Sequence, residues 1–531
     1  MEVYIRILAL ILTYLSLLVD KISAFFNPRQ PPKYPAIKDP LLLKSVVELI
    51  LELKRDQLTS EHLVKTYIAR VREVNPSINA VIEERFEAAL QEARHADELI
   101  ASAKTEYDRV ALFTRYSLLG IPFTVKESCG VKGLSFAVGS VVRKGMKAPC
   151  DGHVVELMRA AGGIPLLVSA TPEFCMSFET STVLNGRCLN PYNHAHSPGG
   201  SSGGEAALNG CGASLFGVAS DISGSIRLPA MFCGVYGHKP TGGLTSVQGH
   251  FPYTAQDENF PNMLQIGPIT RFASDMPLLL EIMAGNNKHK LRMAEPVALK
   301  DIKVHYAYGF SDKNSMTRPN VDPEIQLAIA RAVKSFEKAG LRTEPLQMNF
   351  LDNSMEVALV GLLDLKGVPS IVTQQSNRPP KMRLLCVELF NSLIGHSLFT
   401  KEALFVELMH RLNGLVSVDH MERYREEARS IKTYLTELLG DRGVLLLPTF
   451  HRTALNFHTS LFHITGIDNL LIFNVLGFPA TQVAMGYNQL AMPIGIQVVA
   501  APYQDKLCLQ VAAALEAAFR GWAPPIAHQL A

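Results

Sequence analysis

The feature that most constrains this chain is an alternation of short apolar runs with amphipathic ones. Gly120-Ile121-Pro122-Phe123-Thr124-Val125-Lys126 is a brief apolar run opened by glycine and proline, and residues 154–161 have helical periodicity. Gly163-Ile164-Pro165-Leu166-Leu167-Val168 is a second apolar run. Short apolar runs bounded by turn formers suit strands buried on both faces, and strand, helix, strand is the pattern of a sheet covered by helices. It returns at 302–307, followed by an amphipathic stretch at 324–339. Residues 444–448 and 493–499 read as further buried strands, with a closing helix at 507–519. The expected fold class is α/β.

Helical spacing dominates elsewhere. Val46, Leu49, Ile50 and Leu53 fall on one helix face, and a second helix starts near Ser60 and is expected to end at Asn75-Pro76. A long charged helix is expected over 83–101, and 350–440 reads as mostly helical. That last region carries no chemical motif, and its apolar content suits a cavity lining or lid. With 47% apolar and 19% charged residues among 531, the chain is neither disordered nor collagen-like. Lys+Arg 51 against Asp+Glu 49 leaves +2, too little for a footprint that tracks phosphates, so nucleic acid is not an expected partner. The eight cysteines form no C-x-x-C pair and no zinc-ligand spacing, so they read as reduced thiols and no metal is expected.

Residues 3–18 are apolar apart from Arg6, Thr13 and Ser16, and a second apolar run covers 22–26. An uncleaved hydrophobic membrane anchor over 1–26 is expected, with a cleaved signal peptide and an interfacial helix as the other readings. A linker over 27–39 and a catalytic domain over 40–531 complete the division. Lys21, Arg29 and Lys33 follow the apolar segment and only Arg6 precedes it, and the chain has no N-x-[ST] acceptor. Both features favour a cytosolic catalytic portion.

The chemistry sits in a glycine and serine centre, Ser197-Pro198-Gly199-Gly200-Ser201-Ser202-Gly203-Gly204-Glu205, followed by Asp221-Ile222-Ser223-Gly224-Ser225-Ile226-Arg227. No lysine follows the glycines where a phosphate-binding loop needs one. Gly199-x-Ser201-x-Gly203 has the spacing of a nucleophile elbow but follows a turn-like stretch, not a strand. No Ser-His-Asp set is legible.

These two motifs resemble the amidase signature family, and so do Lys126 at its strand end, Gly237-His238-Lys239-Pro240-Thr241 and Pro493-Ile494-Gly495-Ile496-Gln497-Val498-Val499. The likeness covers roughly residues 35–525. It implies a large mixed twisted β-sheet surrounded by helices, and hydrolysis of an amide without metal or cofactor. It also implies Ser225 as nucleophile, Ser201 as a bridging serine held by a cis peptide and Lys126 as base. Backbone N–H groups of Ile222, Ser223 and Gly224, with that of Ser225, would receive the oxyanion. Ser202, Asp221 and Arg227 are expected in support, the last two as an ion pair.

A lysine accepts a proton only when neutral, and burial without an anionic partner favours that form. With the apolar N-terminus, the resemblance extends to members acting on long-chain fatty-acid amides; the other readings are a different enzyme of the same family, an amidotransferase subunit or a small-amide hydrolase, and a non-catalytic lipid-amide binder. The expected partners are therefore a lipid amide and a membrane, of the endoplasmic reticulum or lipid droplets, and the resemblance admits a homodimer. Where the family carries glycine, this chain has Ser223. A serine there is strained by ~1–2 kcal/mol if the loop requires positive φ.

Overall fold

In the computed structural model, eleven strands hydrogen-bond into one mixed sheet. They are β1 (Val81–Glu84), β2 (Pro122–Lys126), β3 (Ile164–Ser169), β4 (Phe216–Asp221), β5 (Tyr236–Lys239), β6 (Gln265–Thr270), β7 (Lys303–Tyr306), β8 (Arg342–Pro345), β9 (Gly443–Pro448), β10 (Ala480–Tyr487) and β11 (Pro493–Ala500). Their spatial order is β1-β3-β2-β4-β6-β5-β10-β11-β9-β7-β8. The structure describes residues 2–26, 29–295, 297–309, 318–374, 380–412 and 418–525.

β2 pairs parallel with β3 and β4, whereas β4 to β6, β6 to β5 and the β5-β10-β11-β9 run are antiparallel. β2, β3, β4, β9 and β11 are buried along their whole length, which is why β2, β3, β9 and β11 read as continuous apolar runs and not as alternation. Helices Val46–Lys54, His153–Ala160, Pro323–Lys338 and Asp505–Phe519 stand where their periodicity put them.

Two expectations are corrected. Glu83 and Glu84 belong to β1, and the helix is Phe86–Ser102, because Glu83 is drawn into a tertiary contact with Ser135 N (2.6 Å) and Lys147. Helix Ser60–Ile78 runs through Asn75-Pro76 and stops at left-handed Asn79, whose N–H still reaches the Asn75 carbonyl at 2.8 Å. Proline in a last turn removes one N–H bond without ending the helix there.

The buried side chains divide into two large cores. One lies under β2, β3 and β4 with the helices of residues 46–115, and the other under β7, β9, β10 and β11. Helix Arg227–Phe232 is the seam: Ile226 and Ala230 pack into the first core, Leu228, Met231 and Phe232 into the second.

The N-terminal segment is a helix, Glu2–Phe26. A hydrophobic membrane-spanning anchor is expected there from the sequence, and among the described residues no helix is long and apolar enough to cross a membrane. Arg6 and Asp20 interrupt the apolar run, and Asp20 docks on the body, pairing with Arg452 and with His463 Nε2 at 3.0 Å. Burial opposes ionisation of Asp20, but those two partners outweigh it and hold the carboxyl below its usual range. The stretch read as a linker also lies on the body: Gln30 exchanges bonds with Asn193 and His194, and Tyr34 Oη donates to the Pro191 carbonyl at 2.7 Å. Asn27 and Pro28 fall outside the described residues.

Candidate active site

Because β2 and β4 run parallel and adjacent, with Thr124 opposite Gly217 and Val125 opposite Val218, their carboxyl ends open on one edge of the sheet. That is the edge where α/β sheets hold ligands. Lys126 ends β2 and is fully buried, and Ser220-Asp221 ends β4. Lys126 Nζ lies 2.7 Å from Ser201 Oγ, 2.9 Å from Ser220 Oγ and 3.4 Å from the Ser220 carbonyl. Among the described residues no carboxylate bonds to it. The acid that faces it is Glu205, which accepts from Thr124 Oγ1 at 2.5 Å and whose carboxyl burial pushes up to about 7.

Ser201 follows a cis Gly200–Ser201 peptide and leads into helix Gly203–Gly210. That helix lies hard against the end of β3, where a Cβ on Gly204 would stand 2.5 Å from the Ala170 nitrogen. Ser202 ties the serine loop to the next one, through its N–H to the Ser225 carbonyl (3.2 Å) and its Oγ to the Ser220 carbonyl (3.3 Å).

The loop from Ile222 to Ser225 is set by Asp221. Its carboxylate takes the N–H groups of Gly224 at 2.7 Å and Ile226 at 3.1 Å, and receives Arg227 Nε and Nη2 at 3.1 Å each. Arg227 also reaches Gln497 Oε1, the Leu470 carbonyl and Asn474 Oδ1, and Asn474 Nδ2 donates back to Asp221. Burial alone would disfavour the Asp221 charge. The guanidinium, Lys239 and the Gly224 N–H reverse that and hold the carboxyl far below its usual range.

Gly224 sits at φ +107, and a Cβ there would meet Leu470 at 2.5 Å. Ser223 is not among the residues with positive φ, so the strain considered for it does not arise: the loop's demand for glycine falls one residue later. With Gly224 N–H held by Asp221, the N–H groups of Ile222, Ser223 and Ser225 are left without a partner among the described residues. Three unpartnered backbone donors beside a serine can receive a developing oxyanion.

Ser201, Ser220, Ser223, Ser225 and His250 line one cavity. Its walls are apolar: Phe174, Phe178, Phe260 and Leu264, with Met355, Leu359, Leu362, Phe405 and Met409 from the 350–440 region. That region therefore does line the site. Leu12 of the N-terminal helix and Ile464 and Ile467 complete the wall.

The residues expected from sequence thus meet in one place: Ser201, Ile222, Ser223 and Ser225 line the cavity, Lys126 bonds to Ser201, Gly224 sits in the same loop, and Ser202, Asp221 and Arg227 brace it. Ser220, His250 and Leu12 were missed. Ser220 adjoins the Asp221 motif and was readable as its neighbour, while His250 and Leu12 carry no spacing signal because tertiary folding alone brings them in.

The sequence pattern of the amidase family matches residues 62–509. The chain is 35% identical over 508 residues to fatty-acid amide hydrolase 2-A of Danio rerio, spanning 94% of each. It is 32% identical over 511 residues to fatty-acid amide hydrolase 2 of Homo sapiens, spanning 94% of this chain and 93% of that one. A solved fatty acid amide hydrolase superposes with a TM-score of 0.69 at 20% identity, over 90% of this chain and 85% of the other. On that extent of agreement the chain belongs to the amidase signature family and is a hydrolase acting on amides.

Proposed function

We propose that the chain is a serine amidase of long-chain fatty-acid amides, releasing a fatty acid and an amine or ammonia. The observation that carries this reading is the apolar cavity lined by Ser225, with Lys126 bonded to Ser201 at 2.7 Å. A cavity lined by phenylalanine, leucine and methionine matches an acyl chain by burial of apolar surface, worth ~0.8 kcal/mol per methylene.

In this mechanism Ser225 Oγ attacks the amide carbonyl, its proton passes to Ser201 Oγ, and the Ser201 proton passes to neutral Lys126. The carbonyl oxygen becomes an oxyanion at the free N–H groups of the Ile222 loop. Collapse breaks the C–N bond, and Lys126 returns its proton through Ser201 to the departing nitrogen. Water, deprotonated by the same relay, then releases the acid from Ser225. No metal or cofactor is required at any step.

The membrane enters as a surface. Ile11, Leu18, Phe25 and Phe26 of the N-terminal helix are exposed, as are Val387, Phe390 and Leu393 of helix Met382–Leu393. Exposed apolar side chains on the N-terminal helix, which adds Leu12 to the cavity wall, and on helix Met382–Leu393 support interfacial attachment, from which a lipid amide passes inward. Fatty-acid release from a long-chain primary amide, compared between wild type and Ser225→Ala, tests the catalytic reading. Flotation with neutral liposomes tests the attachment. Wild type that spares long-chain amides while cleaving short ones would overturn the substrate assignment.

A further inference from the structure

His250 is buried beside the base and belongs to no part of the relay described above. Its Nδ1 lies 2.9 Å from the Pro252 carbonyl, and its Nε2 lies 2.9 Å from Ser220 Oγ. A carbonyl only accepts, so Nδ1 carries the ring hydrogen. Burial, with Lys126 nearby, pushes the imidazole down to about 3, so the ring is neutral at working pH and Nε2 is bare.

A bare Nε2 accepts, and the one hydroxyl hydrogen of Ser220 must go to it. Ser220 Oγ can then only receive from Lys126, 2.9 Å away. A neutral amine has two hydrogens and one lone pair. With Ser220 Oγ and the Ser220 carbonyl taking the hydrogens, the lone pair is left on the Ser201 side, 2.7 Å from Oγ. After proton transfer the same three oxygens face three ammonium hydrogens, so both states of the base are matched. Were the Ser220 hydrogen free, it could turn to the amine's lone pair and block it.

We propose that His250 is a positioning residue, one that holds the Ser220 hydroxyl proton and thereby aims the lone pair of Lys126 at Ser201. The proposal rests on the reading of Lys126, Ser201 and Ser225 as the catalytic relay.

The test follows the rate of fluorophosphonate labelling at Ser225, normalised to titratable sites, in detergent-solubilised full chain. His250→Leu is expected to slow labelling by ~10- to 100-fold, part of what a general base supplies, and to lower kcat with little change in KM. His250→Gln, whose amide can both accept from Ser220 and donate to Pro252, is expected to restore the rate to within about fivefold. The distinguishing variant is His250→Leu with Ser220→Ala: removing the hydroxyl that would block the lone pair makes this double variant faster than His250→Leu alone, a coupling of the kind double-mutant cycles isolate.

Glu205 and Cys129 also face Lys126, their groups pushed up to about 7 and about 12. The variants are therefore compared between about pH 8 and 10, where Glu205 is ionised and Cys129 is not. In that window the gap between His250→Leu and wild type stays constant. Should His250→Leu not fold, His250→Asn, too short to reach Ser220, replaces it. Labelling indifferent to His250, or a Ser220→Ala change that only adds to the loss, overturns the proposal while leaving the relay intact. Wild type that does not label at Ser225 removes the relay and the proposal with it.

Discussion

Substituting alanine at Gly224 perturbs the oxyanion loop with the smallest change of atoms. The added Cβ meets two separate penalties. At φ +107 an L side chain is disfavoured by ~1–2 kcal/mol. It would also lie 2.5 Å from Leu470 Cδ1 and 2.8 Å from Leu470 Cβ, and overpacking of this kind costs about 1–3 kcal/mol. The sum, ~2–5 kcal/mol, is large enough for the loop to move instead, and the Ser223 and Ser225 N–H groups move with it. Loss of one aligned oxyanion donor reduces kcat by ~100- to 1,000-fold. Gly224→Ala is thus expected to lose both stability in urea and turnover.

Ser223→Gly relieves no strain and is expected to stay within about threefold of wild type in kcat, with a stability change near ~1 kcal/mol or less. The two penalties at Gly224 are separable. Leu470→Ala alone costs ~2–5 kcal/mol, as a fully buried leucine should. Combined with Gly224→Ala, the loss should fall short of the sum by ~1–3 kcal/mol, the clash having been removed and the φ strain retained. Urea titration and single-turnover kinetics on the four proteins read this directly. Wild-type turnover in Gly224→Ala, or a Ser223→Gly protein more active by tenfold, would refute the assignment of the loop's glycine requirement to position 224.

Other perturbations follow from the electrostatics. Asp221→Asn leaves Arg227 buried without its counter-charge and is expected to cost ~3–5 kcal/mol. Because the Asp221 carboxyl is depressed in the fold, its stabilisation is present above about pH 4 and is lost as pH falls below that, which acid unfolding of wild type and variant would measure. Glu205 has the opposite sign. Its carboxyl is pushed up to about 7 from an unfolded value of about 4.3, so its contribution is full below pH ~4, declines as pH rises and levels above pH ~7. Glu205→Gln should therefore raise the thermal midpoint relative to wild type at pH 8.5 and not at pH 4.5; equal shifts at both would count against a neutral Glu205. Asp20→Ala removes the partly buried tie of the N-terminal helix to Arg452 and His463, and should lower kcat/KM for long acyl amides more than for short ones, because Leu12 on the released helix lines the cavity.

Much of the site was legible because its chemistry is local. The strand ending at Lys126, the Gly/Ser loop and the Asp221 to Arg227 stretch are each contiguous, and each maps onto one turn or one strand end. The fully buried strands β2, β3, β9 and β11 announced themselves as uninterrupted apolar runs. β6 did not, since Gly267-Pro268 punctuates it, and β1 was absorbed into a charged helix because its glutamates find partners distant in sequence. His250 and Leu12 were invisible for the same reason: nothing in their neighbourhoods encodes what they touch. The N-terminal helix was legible as a helix but not in its role, because the partners of Asp20, Arg452 and His463, lie more than four hundred residues away.

The seam at helix Arg227–Phe232 bears on how this enzyme can fail. The helix that follows Ser225 divides its side chains between two cores, and Arg227 reaches Asp221 on β4 and Gln497 on β11. Lys126 and Ser201 belong to one side of that seam, whereas Leu470 and Asn474, which fix the loop around Gly224, belong to the other. Neither half of the chain, separated from its complement, holds every partner that fixes the loop from Ile222 to Ser225. Heat inactivation should accordingly track the first loosening of either core, so that catalysis disappears while much of the helical signal persists.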